Sequence, residues 1–215
     1  MNLRRRLAAC LGVIVVCAVL NIASPIVIAK QRTLVPGEHT MHFSGDRSRT
    51  VTLTEEPKAM RARVEVDGEE VDSFLIDPST AFPTKGRAGL GPLIPYNPER
   101  RTYPLHDPTT GNDTALDYLG PGNVRGLETY KYAATLSDGC TRTVDAERRT
   151  GRILDEVWDC PPGQWVLADD TKSAAVNAAR NDVAWLRGLQ VMAVLTRFIA
   201  AVAFIVGLVA YARRR

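Results

Sequence analysis

Lysine is nearly absent from this chain: only five of its 27 basic side chains are lysine, and the other 22 are arginine. A bias this strong fits a GC-rich coding sequence better than a basic binding surface, which mixes the two. Histidine is scarce, with three residues, and only two of the four cysteines lie beyond position 17. A lone cysteine pair is too few for a zinc site, and its spacing matches no redox motif. No serine sits in a nucleophile elbow, and no glycine-rich loop is built to cradle phosphate. These gaps remove the common catalytic signatures, and no cofactor is expected.

Acids are missing from both ends. All 24 lie between Lys30 and Val183, where 19 basic side chains leave that stretch at a net −5 although the whole chain is +3. Arg4, Arg5 and Arg6 mark one end, and Arg213, Arg214 and Arg215 the other. Nucleic acid requires a concentrated basic face to neutralise phosphate, so it is excluded as an expected partner.

In place of such motifs the chain has two long apolar runs. Residues 7–29 carry no charge and are long enough, at about 1.5 Å per residue, to cross a hydrocarbon layer of about 30 Å. Three arginines before the run hold the N-terminus in the cytoplasm under the positive-inside rule, so the chain beyond residue 29 is expected outside. A cleaved signal peptide is the alternative, given Val27 and Ala29 as a small-residue cleavage pattern and Pro25 upstream. Cys10 and Cys17, seven apart on one helix face, read as small packing residues. The second run, residues 191–211, encloses Arg197 roughly 9 Å inside the outer boundary, which is within snorkelling reach. An intramembrane charge can also mark a partner, and both readings stay open. Arg213 to Arg215 then place the C-terminus in the cytoplasm, in agreement with the first run.

The organisation expected is a basic tail (1–6), a transmembrane helix (7–29), an extracytoplasmic β-rich domain (30–170), a juxtamembrane helix (171–190), a second transmembrane helix (191–211) and a basic tail (212–215). In the middle, residues 59–66 alternate, with Met60, Ala62, Val64 and Val66 on one face and Arg61, Arg63 and Glu65 on the other. Asp67-Gly68 turns the chain into a partner strand over 71–77. Residues 127–136 also alternate, setting Tyr130, Tyr132, Ala134 and Leu136 on one side. A further hairpin joins 141–145 to 152–158 through a turn over 146–151, with Gly151 supplying positive φ. Half-buried strands joined by short turns predict an α+β protein with a curled antiparallel sheet. Cys140 and Cys160, alone together in an oxidising compartment, are expected to form a disulfide. Between Pro78 and Gly126 the alternation dissolves into prolines and glycines, and this stretch reads as the functional surface. Asp169-Asp170-Thr171 starts a helix that runs on into the second apolar segment.

Several runs together carry a family likeness: Tyr103-Pro104-Leu105-His106-Asp107-Pro108-Thr109-Thr110-Gly111, Asp117-Tyr118-Leu119-Gly120, Gly126-Leu127-Glu128-Thr129-Tyr130, Thr143-Val144-Asp145 and Arg149-Thr150-Gly151. With an anchor at each end, the chain resembles the actinobacterial porin PorA-like family. The resemblance implies an envelope protein with two anchors and an exported β domain, and some relatives are linked with assembly of lipomannan-type glycolipids. The porin label transfers poorly, since one chain offers two helices and no membrane barrel strands. The family's Asp-Pro-x-Thr-Gly turn is altered around residues 145–151. A second similarity is to exported lipoprotein-carrier folds, whose curled sheets shelter acyl chains; it is an analogy of fold alone.

His39 and His42 are spaced like two ligands, but no third ligand lies at metal spacing. His106-Asp107 could be half of a triad, yet Asp107-Pro108-Thr109-Thr110-Gly111 is better explained as an Asx-type turn. The expected function is a non-catalytic envelope factor that binds a lipid, a glycolipid or a membrane enzyme, with Tyr130 and Tyr132 as ligand-binding side chains. A channel subunit and a hydrolase or transferase with a scattered site are the alternatives.

Overall fold

Among the described residues the middle of the chain forms ten strands, several of them built on alternation of buried and exposed side chains at a period of two. The computed structural model describes residues 3–161 and 163–212, so Arg213, Arg214 and Arg215 lie outside the described residues. The chain divides into two units, residues 32–183 and residues 1–31 with 184–215. Its class is α+β, as expected.

In the first unit, β1 (Gly37–Phe43), β2 (Arg47–Glu56), β3 (Ala59–Val66) and β4 (Glu69–Ile76) form an antiparallel sheet in that order. Strand β3 has the predicted bounds, with Met60, Ala62 and Val64 buried and Arg61 and Arg63 in solvent. The second sheet has the order β10-β9-β8-β7-β6-β5, from β5 (Tyr103–His106), β6 (Asp113–Val124), β7 (Leu127–Thr135), β8 (Thr141–Glu147), β9 (Ile153–Cys160) and β10 (Gly163–Val166). The sheets meet along one edge, where Phe43 bridges to Leu167 and the amides of Ser44 and Ala168 donate to Val166 and His42 carbonyls at 2.9 and 2.8 Å. They do not close into a barrel.

The stretch expected to lack regular structure contains β5 and the twelve-residue β6. Proline and glycine are tolerated there because β5 covers only Asp113 to Leu116, which leaves the rest of β6 as a sheet edge. A bulge between Tyr118 and Gly120 keeps that edge in register with β7. The connection over residues 77–102 is not loose either. It bridges to β4 at Ile76–Pro83 and to β5 at Leu90–Leu105, so both outer edges find hydrogen-bond partners. Tyr132 Oη donates to the Glu99 carbonyl at 2.6 Å, and the Glu99 amide donates to Tyr103 Oη at the same distance.

The predicted 141–158 hairpin is present, but its first strand runs two residues further. Glu147 is buried, and its Oε2 accepts from the amides of Arg149 and Thr150 and from the Thr150 hydroxyl, so the turn is organised from the strand's last side chain. The Cys140–Cys160 disulfide closes the open end of the hairpin. Helix α2 (Asp169–Ala212) begins on the predicted acids, and its first turns pack Val176 and Ala179 against Val124 and Leu154.

The second unit pairs α1 (Leu3–Gln31) with the distal part of α2. Both helices are long and apolar enough to cross a membrane, and large side chains such as Ile22 and Phe198 are exposed along them. Asn21 joins them, donating from Nδ2 to Thr196 Oγ1 at 2.7 Å and accepting at Oδ1 from Arg197 Nε at 3.0 Å. Arg197 therefore has a partner within the pair. Cys17 is buried and Cys10 half-buried, as packing residues would be.

Gly151 has φ +69°, and a Cβ there would come within 2.0 Å of the Pro95 carbonyl oxygen. Gly151→Ala should cost about 1–3 kcal/mol from backbone strain, with the clash in addition, measured as a lowered urea midpoint. An unchanged midpoint would mean that the connection does not pack on this turn.

Candidate functional site

Where the inner faces of the two sheets meet, packing leaves a cavity of about 220 Å³. Its walls are mostly apolar, from Val64 and Val66 of β3, Leu105 of β5, Leu136, Trp158 of β9 and Trp165 of β10. The expected functional stretch contributes Gly91, Pro92, Leu105, His106, Pro108 and Thr109. At about 30 Å³ per water molecule, the space is worth roughly seven waters.

Three arginines line this cavity, and two of them are out of solvent: Arg49 is 6% exposed and Arg142 1%. Between them lies Glu156, fully buried. Arg49 donates to Glu156 through Nη1 at 2.7 Å and Nη2 at 2.5 Å, a bidentate fork, while Arg142 Nε donates to Oε1 at 2.8 Å. Trp158 Nε1 adds a bond to Oε1 at 2.9 Å, and Arg142 Nη2 reaches the Pro92 carbonyl at 2.8 Å. Burial by itself would raise the Glu156 carboxyl, but attraction to Arg142 and Arg49 and their hydrogen bonds outweigh it and hold the group at about 2. The cluster carries two positive charges against one negative. Arg49 Nε has no hydrogen-bond partner among the described residues.

The other charged side chains that line the cavity are balanced or wet. Arg47, half-exposed, pairs with Asp67 and stacks 4.0 Å over the Trp165 ring. Asp72 is paired with Arg87. Asp138 is exposed and accepts from the Cys140 amide.

The tyrosines expected to hold a ligand have other places. Tyr132 is fully buried in the core of the second sheet, packed against Tyr103 and Tyr118 at centroid distances of 5.7 Å, with its hydroxyl committed to Glu99. Burial pushes its phenol well above the ordinary tyrosine value. Tyr130 is half-buried beneath Arg100, which donates to its hydroxyl at 3.3 Å. Neither lines the cavity. His106 and Asp107 also diverge. Asp107 makes the expected Asx turn to the Thr109 amide at 2.9 Å and accepts from the Ser137 amide and hydroxyl at 3.0 and 2.5 Å. Burial opposes these bonds but does not cancel them, and the carboxyl sits at about 2. His106 Nδ1 lies 3.4 Å from Asp113, so the two sequence neighbours take different partners. His39 and His42 are three apart on β1 and face opposite ways; among the described residues no group of three or more His, Cys, Asp or Glu side chains is placed to hold a metal ion.

Sequence reasoning missed Arg49, Arg142 and Glu156. The signal was present: Arg49 is in phase with Val51 and Leu53, and Arg142 with Val144 and Ala146, so both point inward by simple alternation.

Residues 75–151 match the family described as Porin PorA. The match bears out the resemblance over just over a third of the chain. No curated protein matches. The PorA segment contains the connection over 77–102, strands β5 to β8 and Arg142, whereas Arg49 and Glu156 lie outside it. Together the PorA match and the two apolar helices fit a membrane protein.

Glu156→Gln should cost about 3–5 kcal/mol at neutral pH, because it leaves two buried guanidiniums without a counter-charge. The Glu156 carboxyl is depressed in the folded state, so its contribution is present above pH 4.5 and is lost as pH falls towards 2. Unfolding measured across pH 2–7 should therefore show a flatter acid limb in the variant. Parallel acid limbs would show that Glu156 is not the group titrating.

Proposed function

We propose that this protein is a non-catalytic, membrane-anchored factor of the cell envelope whose β domain binds the apolar part of a lipid or glycolipid and serves a membrane enzyme of envelope assembly. The cavity carries this reading. Its aliphatic and indole walls suit an acyl or similarly apolar group, and at about 220 Å³ it lies below the roughly 300–1,000 Å³ typical of whole-ligand pockets. It suits part of a larger molecule whose remainder stays outside. The connection over 77–102 supplies Gly91 and Pro92 to the wall, so a ligand would rest against a segment tied to both sheet edges. In this reading both termini are cytoplasmic and the β domain is extracytoplasmic, supported by the basic ends of the sequence and by an acidic middle containing an oxidised cysteine pair.

The family's name supports a second reading, a porin-like subunit. Against it stand charged outward faces such as Arg61 and Arg63 on β3, where a membrane barrel carries apolar residues.

The full chain purified in mild detergent should carry a lipid or glycolipid detectable by mass spectrometry, and Leu105→Trp, which fills the cavity, should reduce its recovery several-fold. A tag inserted at Gly111 should be accessible from outside and a reporter after Arg215 should behave as cytoplasmic. Lipid-free protein that conducts ions in planar bilayers would replace this reading with the porin-like one.

A further inference from the structure

The cavity is apolar in its walls but not in its electrostatics, and that combination selects among amphiphiles. Two guanidiniums and one carboxylate are buried together there with a net charge of +1, on three strands of two different sheets. A buried excess charge is costly unless something compensates it. Within the protein, the nearby charges that could do so are spent elsewhere: Asp72 on Arg87 and Asp67 on Arg47, while Asp138 lies exposed and screened at the rim. Arg49 lines the cavity, is more than nine-tenths buried, and keeps its Nε donor unpartnered among the described residues. Each of the two buried arginines also lies over an aromatic ring, Arg49 5.6 Å from Phe43 and Arg142 5.6 Å from Trp158.

We infer that the cavity takes an amphiphile with a single anionic headgroup, a carboxylate or phosphate on an aliphatic chain, whose oxygen accepts from Arg49 and whose charge neutralises the Arg49–Glu156–Arg142 cluster. This rests on the proposed lipid-binding role of the cavity and narrows it, since a neutral headgroup would leave the excess charge uncompensated. The chain lies along Val64, Val66, Leu105 and Leu136. Binding brings no covalent change.

The test uses the full chain with Trp185→Phe, reconstituted in phosphatidylcholine nanodiscs, with empty nanodiscs as the partition reference. Trp158 and Trp165 line the cavity and report binding through quenching by terminally brominated ten-carbon probes, while inorganic phosphate competes against them. Brominated decanoate and decyl phosphate should bind at least tenfold more tightly than brominated decanol. Arg49→Gln leaves the Glu156–Arg142 pair and should bring the anions down to the alcohol's affinity without weakening the alcohol. If alcohol and acid bind alike in the unmodified cluster, the anion inference falls and the apolar cavity reading stands. If none of the three is bound, both fall. Inorganic phosphate displacing the probes at the concentration of decyl phosphate itself would overturn the amphiphile and leave a free-anion site. Should Arg49→Gln fail to fold, the comparison of acid with alcohol on the unsubstituted cluster still decides.

Discussion

A carboxylate taken wholly out of water must be answered by positive charge within hydrogen-bond reach, and here the answer comes from both sheets. Glu156 on β9 is met by Arg142 from the adjacent strand and by Arg49 from β2, 107 residues away in sequence. The desolvation of three ions is costly, and a well-packed apolar trio could serve stability as well or better. An apolar trio would not supply direction. The bidentate fork of Arg49, the indole N–H of Trp158 and the Pro92 carbonyl fix how the two inner faces approach each other and where the 77–102 connection lies over them. The cavity is the space left where charged groups, held at these distances, keep the aliphatic walls of the two sheets from closing.

The connection between β4 and β5 has the composition of a loose cover but the bonding of a structural strap. It satisfies backbone groups on both exposed sheet edges, and edges left open invite pairing with other chains. Tyr103 and Tyr132 hold its Glu99 peptide from either side of the same residue, so the buried phenols carry both packing and polar satisfaction. Gly151 allows the Pro95 carbonyl to lie against the hairpin turn. A segment pinned at so many points positions the residues it gives to the cavity without having to move.

In the helical unit, apolar surface alone gives two helices little reason to pair in a lipid environment, because lipid tails are as apolar as the side chains. Polar bonds between Asn21, Thr196 and Arg197 supply specificity, and small or slender residues such as Cys10 and Gly207 let the backbones approach. Arg197 is thereby held in place by a neutral amide, which satisfies one donor without removing its charge.

Local pattern determined a good part of this protein. The period of two placed β3 residue by residue, the turn glycine marked the β8–β9 hairpin, acids marked the start of α2, and apolar length marked both apolar helices, the second in spite of Arg197, since each of these depends on neighbours within a few positions. A cysteine pair with no rivals in the middle of the chain left one pairing to make, and it is made. Strands β5 and β6 escaped because proline and glycine read as loop unless one knows that the strand will lie on an edge, and edges are defined only once sheets assemble. For Tyr132 the alternation indicated the inward face, but whether that face meets core or ligand depends on the group lying opposite, which is set by a peptide 33 residues away. The cavity was the least legible of all. Arg49, Arg142 and Glu156 each stand in an inward register that sequence can show one strand at a time, yet only the meeting of two sheets brings Arg49 within 3 Å of the Glu156 carboxylate that Arg142 holds from the neighbouring strand, because a buried charge becomes tolerable only when tertiary structure delivers its partner.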